Sequence, residues 1–196
     1  MQRIFHTPEG VRDIYSQECS RKQKLQEKLH RVFHQYGFED IETPTFEYFE
    51  VFSKEVGTIP SRELYKFFDR EGNTLVLRPD FTPSVSRACA TYFNPEKEVV
   101  SLCYTGNTFI NNSSFRGRLK ETTQMGVERM GDDSPEADAE ILAMTVECLL
   151  ATGLTEFQVS VGQVDYYKAI FAQTGLSQEE EEELRELISQ KNYFGV

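Results

Sequence analysis

The sequence predicts an α+β domain in which a mainly antiparallel sheet is flanked by helices. The chain has 196 residues, the size of one ordinary domain, and 39% of them are apolar, so a packed core can form. Segments with helical periodicity alternate with segments rich in β-branched and aromatic residues. Neighbouring strand segments are joined by short turns, which favours antiparallel pairing and a single domain over residues 1–196.

The chain is predicted to begin with a long helix and a strand. Apolar residues recur at helical spacing and are followed by Gly37, which is typical of a helix end, so a helix is expected over residues 16–36. Residues 38–46 have strand composition, but Pro44 has no N–H for a ladder hydrogen bond. This segment is therefore either an edge or interface strand or a strand interrupted at Pro44.

A hairpin and a second helix are expected next. Residues 64–69 and 74–78 flank a polar turn that contains glycine, as in an antiparallel hairpin. Thr82 followed by Pro83 then predicts an N-cap and a first helical position, with the helix continuing to about Tyr92.

Two strands and a further helix follow. The strands are expected over residues 99–104 and 119–130, with a polar loop over 111–118 between them. Ser134 and Pro135 open the helix and Gly153 ends it. The side chains expected to be buried by this helix are Ala139, Leu142, Ala143, Val146, Leu149 and Leu150.

The last part of the chain is predicted to hold a strand over 157–161 and two short helices. Gly175 ends the first helix, and Ser177 with Glu180 has the spacing of a capping box for the second. The acidic run over 179–183 is then interpreted as a solvated first helical turn rather than an acidic binding tail.

Composition excludes several classes of protein. With 21 Lys and Arg against 32 Asp and Glu, the net charge is −11, which excludes a uniformly basic nucleic-acid surface. Most of the acidic excess lies in residues 134–196, so a site for an anionic or zwitterionic ligand is expected earlier in the chain.

The N-terminal residues and the cysteines indicate a cytoplasmic location. Residues 1–6 lack the apolar stretch of a signal peptide, and no segment approaches the ~18 apolar residues of a membrane span. The 4 cysteines form no C-x-x-C pair, so reduced thiols are expected rather than a zinc site or a disulfide framework.

His30 and His34 have the spacing at which two imidazoles on one helix can share a metal. Residue 31 is arginine rather than the glutamate of a zinc-protease motif, and the sequence indicates no third ligand. They are therefore interpreted as ordinary surface or packing histidines, and no metal site is predicted.

Two polar groups could bind a ligand. Asp80 and Thr82 lie where a strand runs into a helix, and the carboxylate could pair with a ligand ammonium; the alternative is that they are only turn and cap residues. Gln124 and Glu128 are four residues apart on one strand and share a sheet face, which could be a ligand floor or a solvated surface. The cations that alternate before this strand, which could surround an anion, are Arg116, Arg118 and Lys120.

Four segments together resemble the catalytic core of the class II histidyl-tRNA synthetases, over almost the whole chain. The resemblance implies a class II synthetase-like sheet and dimerisation through the first helix and the strand that contains Pro44. The segments are Gly10-Val11-Arg12-Asp13, the first helix with the Pro44 strand, Leu77 to Pro83, and Gly117 to Gly131.

Two subfamilies share this core: the synthetases and the regulatory subunits of ATP phosphoribosyltransferase. In the synthetases motif 2 reads Phe-Arg-x-Glu, and its arginine holds the ATP α-phosphate, whereas the matching residues 109–112 read Phe-Ile-Asn-Asn. An apolar Ile110 cannot neutralise the charge that develops in adenylate formation. The Asp-Phe-Thr sequence of residues 80–82 also resembles the regulatory subunits.

The resemblance implies a regulatory subunit that is not itself an enzyme and has no cofactor. It implies assembly as a homodimer with a short-form catalytic phosphoribosyltransferase, activation of that subunit, and feedback inhibition by histidine. Asp80, Thr82, Gln124 and Glu128 match positions of the histidine pocket, and Arg118 matches a motif 2 loop arginine, a candidate anion contact. Neither a nucleic-acid nor a membrane partner is expected.

Two rival hypotheses remain. One is a divergent histidyl-tRNA synthetase, in which another residue supplies the missing cation. The other is a scaffold whose polar strand is only solvated. Because the families that it resembles extend further, this chain is expected to be an N-terminal portion that lacks part of the ligand pocket.

Overall fold

The computed structural model of the chain describes residues 5–53, 59–112 and 117–189. It consists of two compact units, residues 1–155 and 156–196. A single domain, shortened relative to a longer protein, stays a prediction. The α-helices are α1 (Ser16–Gln35), α2 (Glu50–Ser53), α3 (Thr82–Tyr92), α4 (Pro135–Thr152), α5 (Val164–Thr174) and α6 (Gln178–Ser189). The strands are β1 (Glu39–Asp40), β2 (Phe46–Tyr48), β3 (Lys66–Phe68), β4 (Thr74–Leu77), β5 (Val100–Phe109) and β6 (Glu121–Met130).

The strands of the first unit form two three-stranded sheets. One has the order β1-β5-β6, with β1 parallel and β6 antiparallel to β5, and the other is the antiparallel sheet β2-β4-β3. The β5–β6 register runs without a bulge from Val100 opposite Met130 to Phe109 opposite Glu121. The mixed, mainly antiparallel α+β architecture and the predicted hairpin are therefore confirmed.

The first half of strand β5, residues 100–104, is buried on both faces and organises the core. Alternate residues point to opposite sides of a strand. Leu102 and Tyr104 pack with Phe81, just before α3, and with Val85 of α3, whereas Cys103 belongs to a second cluster with residues of α1 and α4. The two sides of β5 consequently present two separate chemical environments.

Helix α1 ends as the sequence predicts. Gly37 has a φ of +80°, its N–H donates to the His34 carbonyl, and the Phe38 N–H donates to the Phe33 carbonyl. These two bonds form a Schellman motif, which favours glycine because the left-handed backbone tolerates no Cβ without strain.

The strand predicted over 38–46 is interrupted. Strand β1 ends at Asp40 and β2 begins at Phe46. Between them, the carbonyls of Thr43 and Pro44 accept hydrogen bonds from the Arg78 guanidinium at 2.9 and 3.3 Å instead of from a neighbouring strand. A side chain therefore satisfies the backbone where Pro44 breaks the ladder.

The predicted N-cap role of Thr82 is wrong. Phe81 is the N-cap of α3, and no side chain caps this end. The Thr82 hydroxyl instead donates to Glu128 Oε1 at 2.6 Å, so it is committed to β6 rather than to its own helix.

Helix α4 has the predicted ends, but the predicted buried face is only partly right, because Val146 and Leu149 are half-buried whereas Ala139 and Ala143 are exposed. Ser134 accepts a hydrogen bond from the Ala137 N–H, and Gly153 has a φ of +100°. Ala137 and Met144 are buried, whereas Leu142 and Leu150, predicted to be buried, are 38% and 53% exposed. The helix is apolar on nearly every side, so periodicity does not determine which side packs against α1.

In the second unit, the two helices are confirmed and the strand over 157–161 is wrong. Gly175 has a φ of +70°, and Ser177 and Glu180 form the expected reciprocal capping box. A strand needs a paired neighbour, and residues 156–189 contain none. In the described ranges, no helix is both long enough and apolar enough to cross a membrane.

Candidate functional site

A cavity of about 780 Å³ opens where β4 runs into α3, opposite strands β5 and β6. Three of the four residues predicted to bind histidine line it, namely Asp80, Thr82 and Gln124. Glu128 is not among the described residues that line the cavity but is joined to it through Thr82. The structure thus brings together side chains from two separate stretches of sequence.

Asp80 is held by two donors on one of its oxygens. Its Oδ1 accepts hydrogen bonds from the Phe81 backbone N–H at 2.8 Å and from the Gln124 side-chain amide at 3.0 Å. The bond to its own neighbour fixes the carboxyl at the strand-to-helix junction, and the bond to Gln124 ties that junction to β6. The second oxygen has no contact of this kind with the described residues.

Glu128 forms the second half of the site. Its Oε1 accepts hydrogen bonds from the Thr82 hydroxyl at 2.6 Å and from the Tyr104 hydroxyl at 3.4 Å. Burial raises the pKa of Glu128, the nearby Asp80 carboxylate raises it further, and the two hydroxyl donors oppose this rise.

The site therefore places two carboxylates close together without a cation to neutralise them. No lysine or arginine in the described part of the chain forms an ion pair with Asp80 or Glu128. An ammonium group bound between them would relieve both their mutual repulsion and the burial of negative charge. This arrangement suits a ligand with an amino group.

Behind the carboxylates lies a stack of three flat side chains that sequence reasoning missed. The Arg78 guanidinium lies 4.0 Å from the Phe81 ring centroid, and the Phe81 ring stacks on Tyr104 at 4.3 Å with an interplanar angle of 8°. Burial lowers the pKa of Arg78, yet its Nε donates to the carbonyl of Asn107 and its Nη1 donates to the carbonyls of Thr43 and Pro44. The stack supports Tyr104, which contacts Glu128.

Two glycines make this close packing feasible. A Cβ at Gly126 would lie 2.4 Å from the Tyr104 hydroxyl oxygen, and a Cβ at Gly106 would lie 2.5 Å from Arg78 Nη2. Gly126 lies directly opposite Tyr104 in the β5–β6 register and between Gln124 and Glu128 on the same sheet face. A glycine between two polar residues on the same face of a strand is the sequence signal from which the role of Gly126 could have been predicted.

The predicted anion contact is not part of this cavity. Arg118 is exposed and forms no ion pair with any residue that the structure describes. Arg116 lies outside the described residues. A role for Arg118 stays a prediction.

A second cluster lies on the other face of β5. The structure places Asp40 and Cys103 beside His30 and His34, so the two further potential ligands that the sequence did not indicate are present. The hydrogen bond from His30 lowers the pKa of Asp40, and burial raises the pKa of the Cys103 thiol to about 12. Sequence reasoning missed the cluster because β1 and β5 pair only in the folded chain.

Comparison with known proteins gives a consistent result. The model of the family described as histidyl-tRNA synthetase matches residues 10–196. Proteins named ATP phosphoribosyltransferase regulatory subunit are 43% identical over 192 residues in Acetivibrio thermocellus and 41% identical over 192 residues in Ruminiclostridium cellulolyticum. Each alignment covers 98% of this chain and 46% of the relative. The chain thus spans about half the length of the curated relatives that it matches.

Solved structures show the same fold. A Bacillus halodurans structure described as an ATP phosphoribosyltransferase regulatory subunit/histidyl-tRNA synthetase has a TM-score of 0.85 and 33% identity, covering 98% of this chain and 50% of that one. An Alicyclobacillus acidocaldarius histidine–tRNA ligase subunit, at 23% identity, has a TM-score of 0.82 over 97% of this chain and 55% of its own.

These matches confirm the class II synthetase-like fold. The chain belongs to the histidyl-tRNA synthetase family and, within it, is similar to the ATP phosphoribosyltransferase regulatory subunits.

Proposed function

We propose that this chain is part of a regulatory subunit of ATP phosphoribosyltransferase, the complex that starts histidine biosynthesis. It is not an enzyme by itself. As a homodimer within a hetero-oligomer, it activates the short-form catalytic subunit and makes it sensitive to histidine. The observation that carries the proposal is a pair of carboxylates without an ion-pair partner among the described residues, in a protein similar to such subunits. Asp80 lines the cavity, and Glu128 is joined to it through Thr82.

In this proposal, histidine binds through its amino group. Asp80 and Glu128 attract the ammonium, while Thr82 and Gln124 supply neutral hydrogen bonds and hold the carboxylates in place. The ammonium also offsets the burial that raises the pKa of Glu128. Charge-assisted hydrogen bonds of this type contribute about 1.5–3 kcal/mol each.

The non-catalytic character follows from Ile110, which lines the same cavity. By the resemblance, this residue occupies the position of the motif 2 arginine of the synthetases. An isoleucine has no donor for a phosphate or for the developing charge of an adenylate, and the loss of one such group commonly costs about 10²–10³ in rate. Histidine recognition without adenylate chemistry is the expected result.

Feedback inhibition requires more than histidine binding. Histidine must bind the active and the inhibited assemblies with different free energies. A ligand with equal affinity for both does not change the equilibrium between them. The hydrogen bond of Thr82 to Glu128 joins α3 to β6, and that of Gln124 to Asp80 joins the segment just before α3 to β6. A ligand bound in the cavity would therefore affect the position of α3 relative to β6.

The test is phosphoribosyl transfer to ATP by the short catalytic subunit, measured with and without the full-length protein. We expect activity to depend on the full-length protein and to fall when histidine is added. Asp80→Asn should retain the stimulation and lose most of the histidine sensitivity. Absence of stimulation would refute the regulatory role; stimulation without any histidine effect would refute the feedback role.

The rival function, a divergent histidyl-tRNA synthetase, is favoured by the family match over residues 10–196. It predicts histidine-dependent exchange of pyrophosphate into ATP by the full-length protein alone. We expect no exchange, because Ile110 cannot replace an arginine at the α-phosphate. Measurable exchange above the rate of a heat-denatured control would establish the synthetase function instead.

A further inference from the structure

Four side chains with metal-binding atoms converge on the face of β5 that points away from the candidate histidine site. His30 and His34 lie on α1, Asp40 ends β1, and Cys103 lies in β5. Asp40 and Cys103 are register partners in the parallel β1–β5 pair, which sets them side by side. Secondary structure therefore determines all four positions, and none depends on a loop.

The four ligand atoms lie within 4.8 Å of one another. His30 Nε2 hydrogen-bonds to Asp40 Oδ1, and His34 Nε2 lies 3.0 Å from Asp40 Oδ2. The Cys103 thiol donates to Asp40 Oδ1 at 3.4 Å. A tetrahedral zinc ion needs neighbouring ligand atoms roughly 3.3–3.8 Å apart. The Cys103–Asp40 separation already fits this range, the two histidine nitrogens would move away from Asp40 as the ion replaces their protons, and the most distant pair would approach by about 1 Å.

The hydrogen bonds identify the atoms available to a cation. An ionised carboxylate only accepts, so both histidines must present Nε2–H groups to Asp40. A metal ion could take the place of each of these protons. Each imidazole would then bind the ion through Nε2 and carry its own proton on Nδ1. The i, i+4 spacing on α1 brings the ring centroids to 4.2 Å, so both rings reach one point.

Burial gives the cluster an inner and an outer side. Cys103 is fully buried at 0% exposure, whereas His34 and Asp40 are exposed. An ion could enter past the exposed residues and meet the sulfur at the inner side. Binding of the ion would release the Cys103 proton to solvent, because only the thiolate is a metal ligand. Two imidazole nitrogens, one carboxylate oxygen and one thiolate sulfur then suit zinc and neighbouring transition metals, and do not suit Mg²⁺ or Ca²⁺, which prefer oxygen ligands alone.

We propose that His30, His34, Asp40 and Cys103 form a binding site for one divalent transition-metal ion, with Zn²⁺ preferred. The ion joins α1, β1 and β5, and it is independent of histidine binding on the opposite face of β5. The competing explanation is that Asp40 only hydrogen-bonds to the two histidines and fastens α1 to β1 without any ion.

Cobalt(II) titration of the chelator-treated 196-residue chain, in a thiol-free reductant, separates the two explanations. We expect one Co²⁺ per chain, a near-ultraviolet thiolate-to-cobalt absorption band, and displacement of Co²⁺ by Zn²⁺. Cys103→Ser should abolish the band. His34→Gln, a change at an exposed position, should weaken Co²⁺ affinity at least tenfold, since even loss of a residue that only supports a ligand costs about 10–100-fold.

Cys89→Ser is the matched control, because Cys89 is also buried but packs in the cluster on the other face of β5. It should leave both the band and the affinity unchanged. Absence of saturable Co²⁺ binding would overturn the proposal. So would a thiolate band that survives in Cys103→Ser, or an affinity that His34→Gln does not change.

Discussion

At the level of single residues, the buried charge of Glu128 lowers the stability of the folded chain. Its pKa is raised by burial and by Asp80, so the folded chain holds a proton on this group more tightly than the unfolded chain does. As pH rises above the ordinary value of 4.5, the folded state therefore loses stability relative to the unfolded state. The carboxylate that suits an ammonium ligand destabilises the empty protein.

Glu128→Gln should separate ligand binding from stability. The amide keeps an oxygen that accepts from Thr82 but has no charge, so we expect a higher free energy of unfolding at pH 7 and a flatter pH dependence above pH 4.5. Histidine affinity of the full-length protein should fall roughly 10- to 100-fold. Urea unfolding against pH and calorimetry measure the two effects. The exposed Glu71→Gln should change neither, and equal behaviour of both variants would exclude a role for the Glu128 charge.

Gly126→Ala tests the support of Glu128 by Tyr104. The new Cβ would meet the Tyr104 hydroxyl oxygen at 2.4 Å, so the phenol must move from the Phe81 stack. Such overpacking commonly costs about 1–3 kcal/mol. We expect that loss in urea unfolding, together with weaker histidine binding. At Gly162 a Cβ meets nothing within 4 Å, so Gly162→Ala is the control. Wild-type stability of Gly126→Ala would show that Tyr104 is free to shift.

At the level of elements, sequence signals worked where the decisive contacts are local. The end of α1 depends on Gly37 and its immediate neighbours, and the start of α6 depends on Ser177 and Glu180. These contacts span only a few residues, so the residue pattern contains them. The structure confirms both.

Signals failed where a distant residue decides. The interruption at Pro44 is one of the predicted alternatives, but the sequence does not indicate that Arg78 stabilises it. The packed side of α4 is set by α1 rather than by its own apolar pattern. The same reason applies to the candidate sites. The resemblance supplied Asp80, Thr82, Gln124 and Glu128, but Tyr104 and the cluster at Cys103 emerge only when strands pair.

Arg78→Met should measure how much the interrupted strand depends on one side chain. The substitution keeps a long apolar stem but leaves the carbonyls of Thr43, Pro44 and Asn107 without their donor. Pro44 is exposed, so water can reach its carbonyl, whereas Thr43 is buried and Asn107 half-buried. Since an unsatisfied buried group costs about 1–3 kcal/mol, we expect a loss of at least about 2 kcal/mol in urea unfolding. Arg70→Met, at an exposed position in the hairpin turn, should have little effect. A loss below about 1 kcal/mol would mean that water replaces the guanidinium.

At the level of the whole molecule, the β2-β4-β3 sheet has an exposed aromatic surface that could form the contact of the proposed homodimer. Phe46, Tyr48 and Phe67 share one face of this sheet and are 50%, 55% and 37% exposed, and Phe46 contacts Phe67 edge to face at 5.7 Å. Isolated apolar residues on a surface are ordinary, but several aromatic side chains on one small sheet indicate a contact surface. It adjoins the Pro44 segment through which the family resemblance implies dimerisation.

Phe46→Asp should therefore weaken the dimer without unfolding the chain. A buried aromatic residue at the centre of an interface commonly contributes 2 kcal/mol or more, so we expect at least about a 30-fold rise in the dimer dissociation constant, measured by sedimentation of the 196-residue chain. Val161→Asp changes another exposed apolar residue, 70% exposed and distant in sequence, and should leave the constant unchanged. If both variants dissociated equally, general loss of apolar surface would explain the effect; if neither did, the homodimer would have to form through another surface.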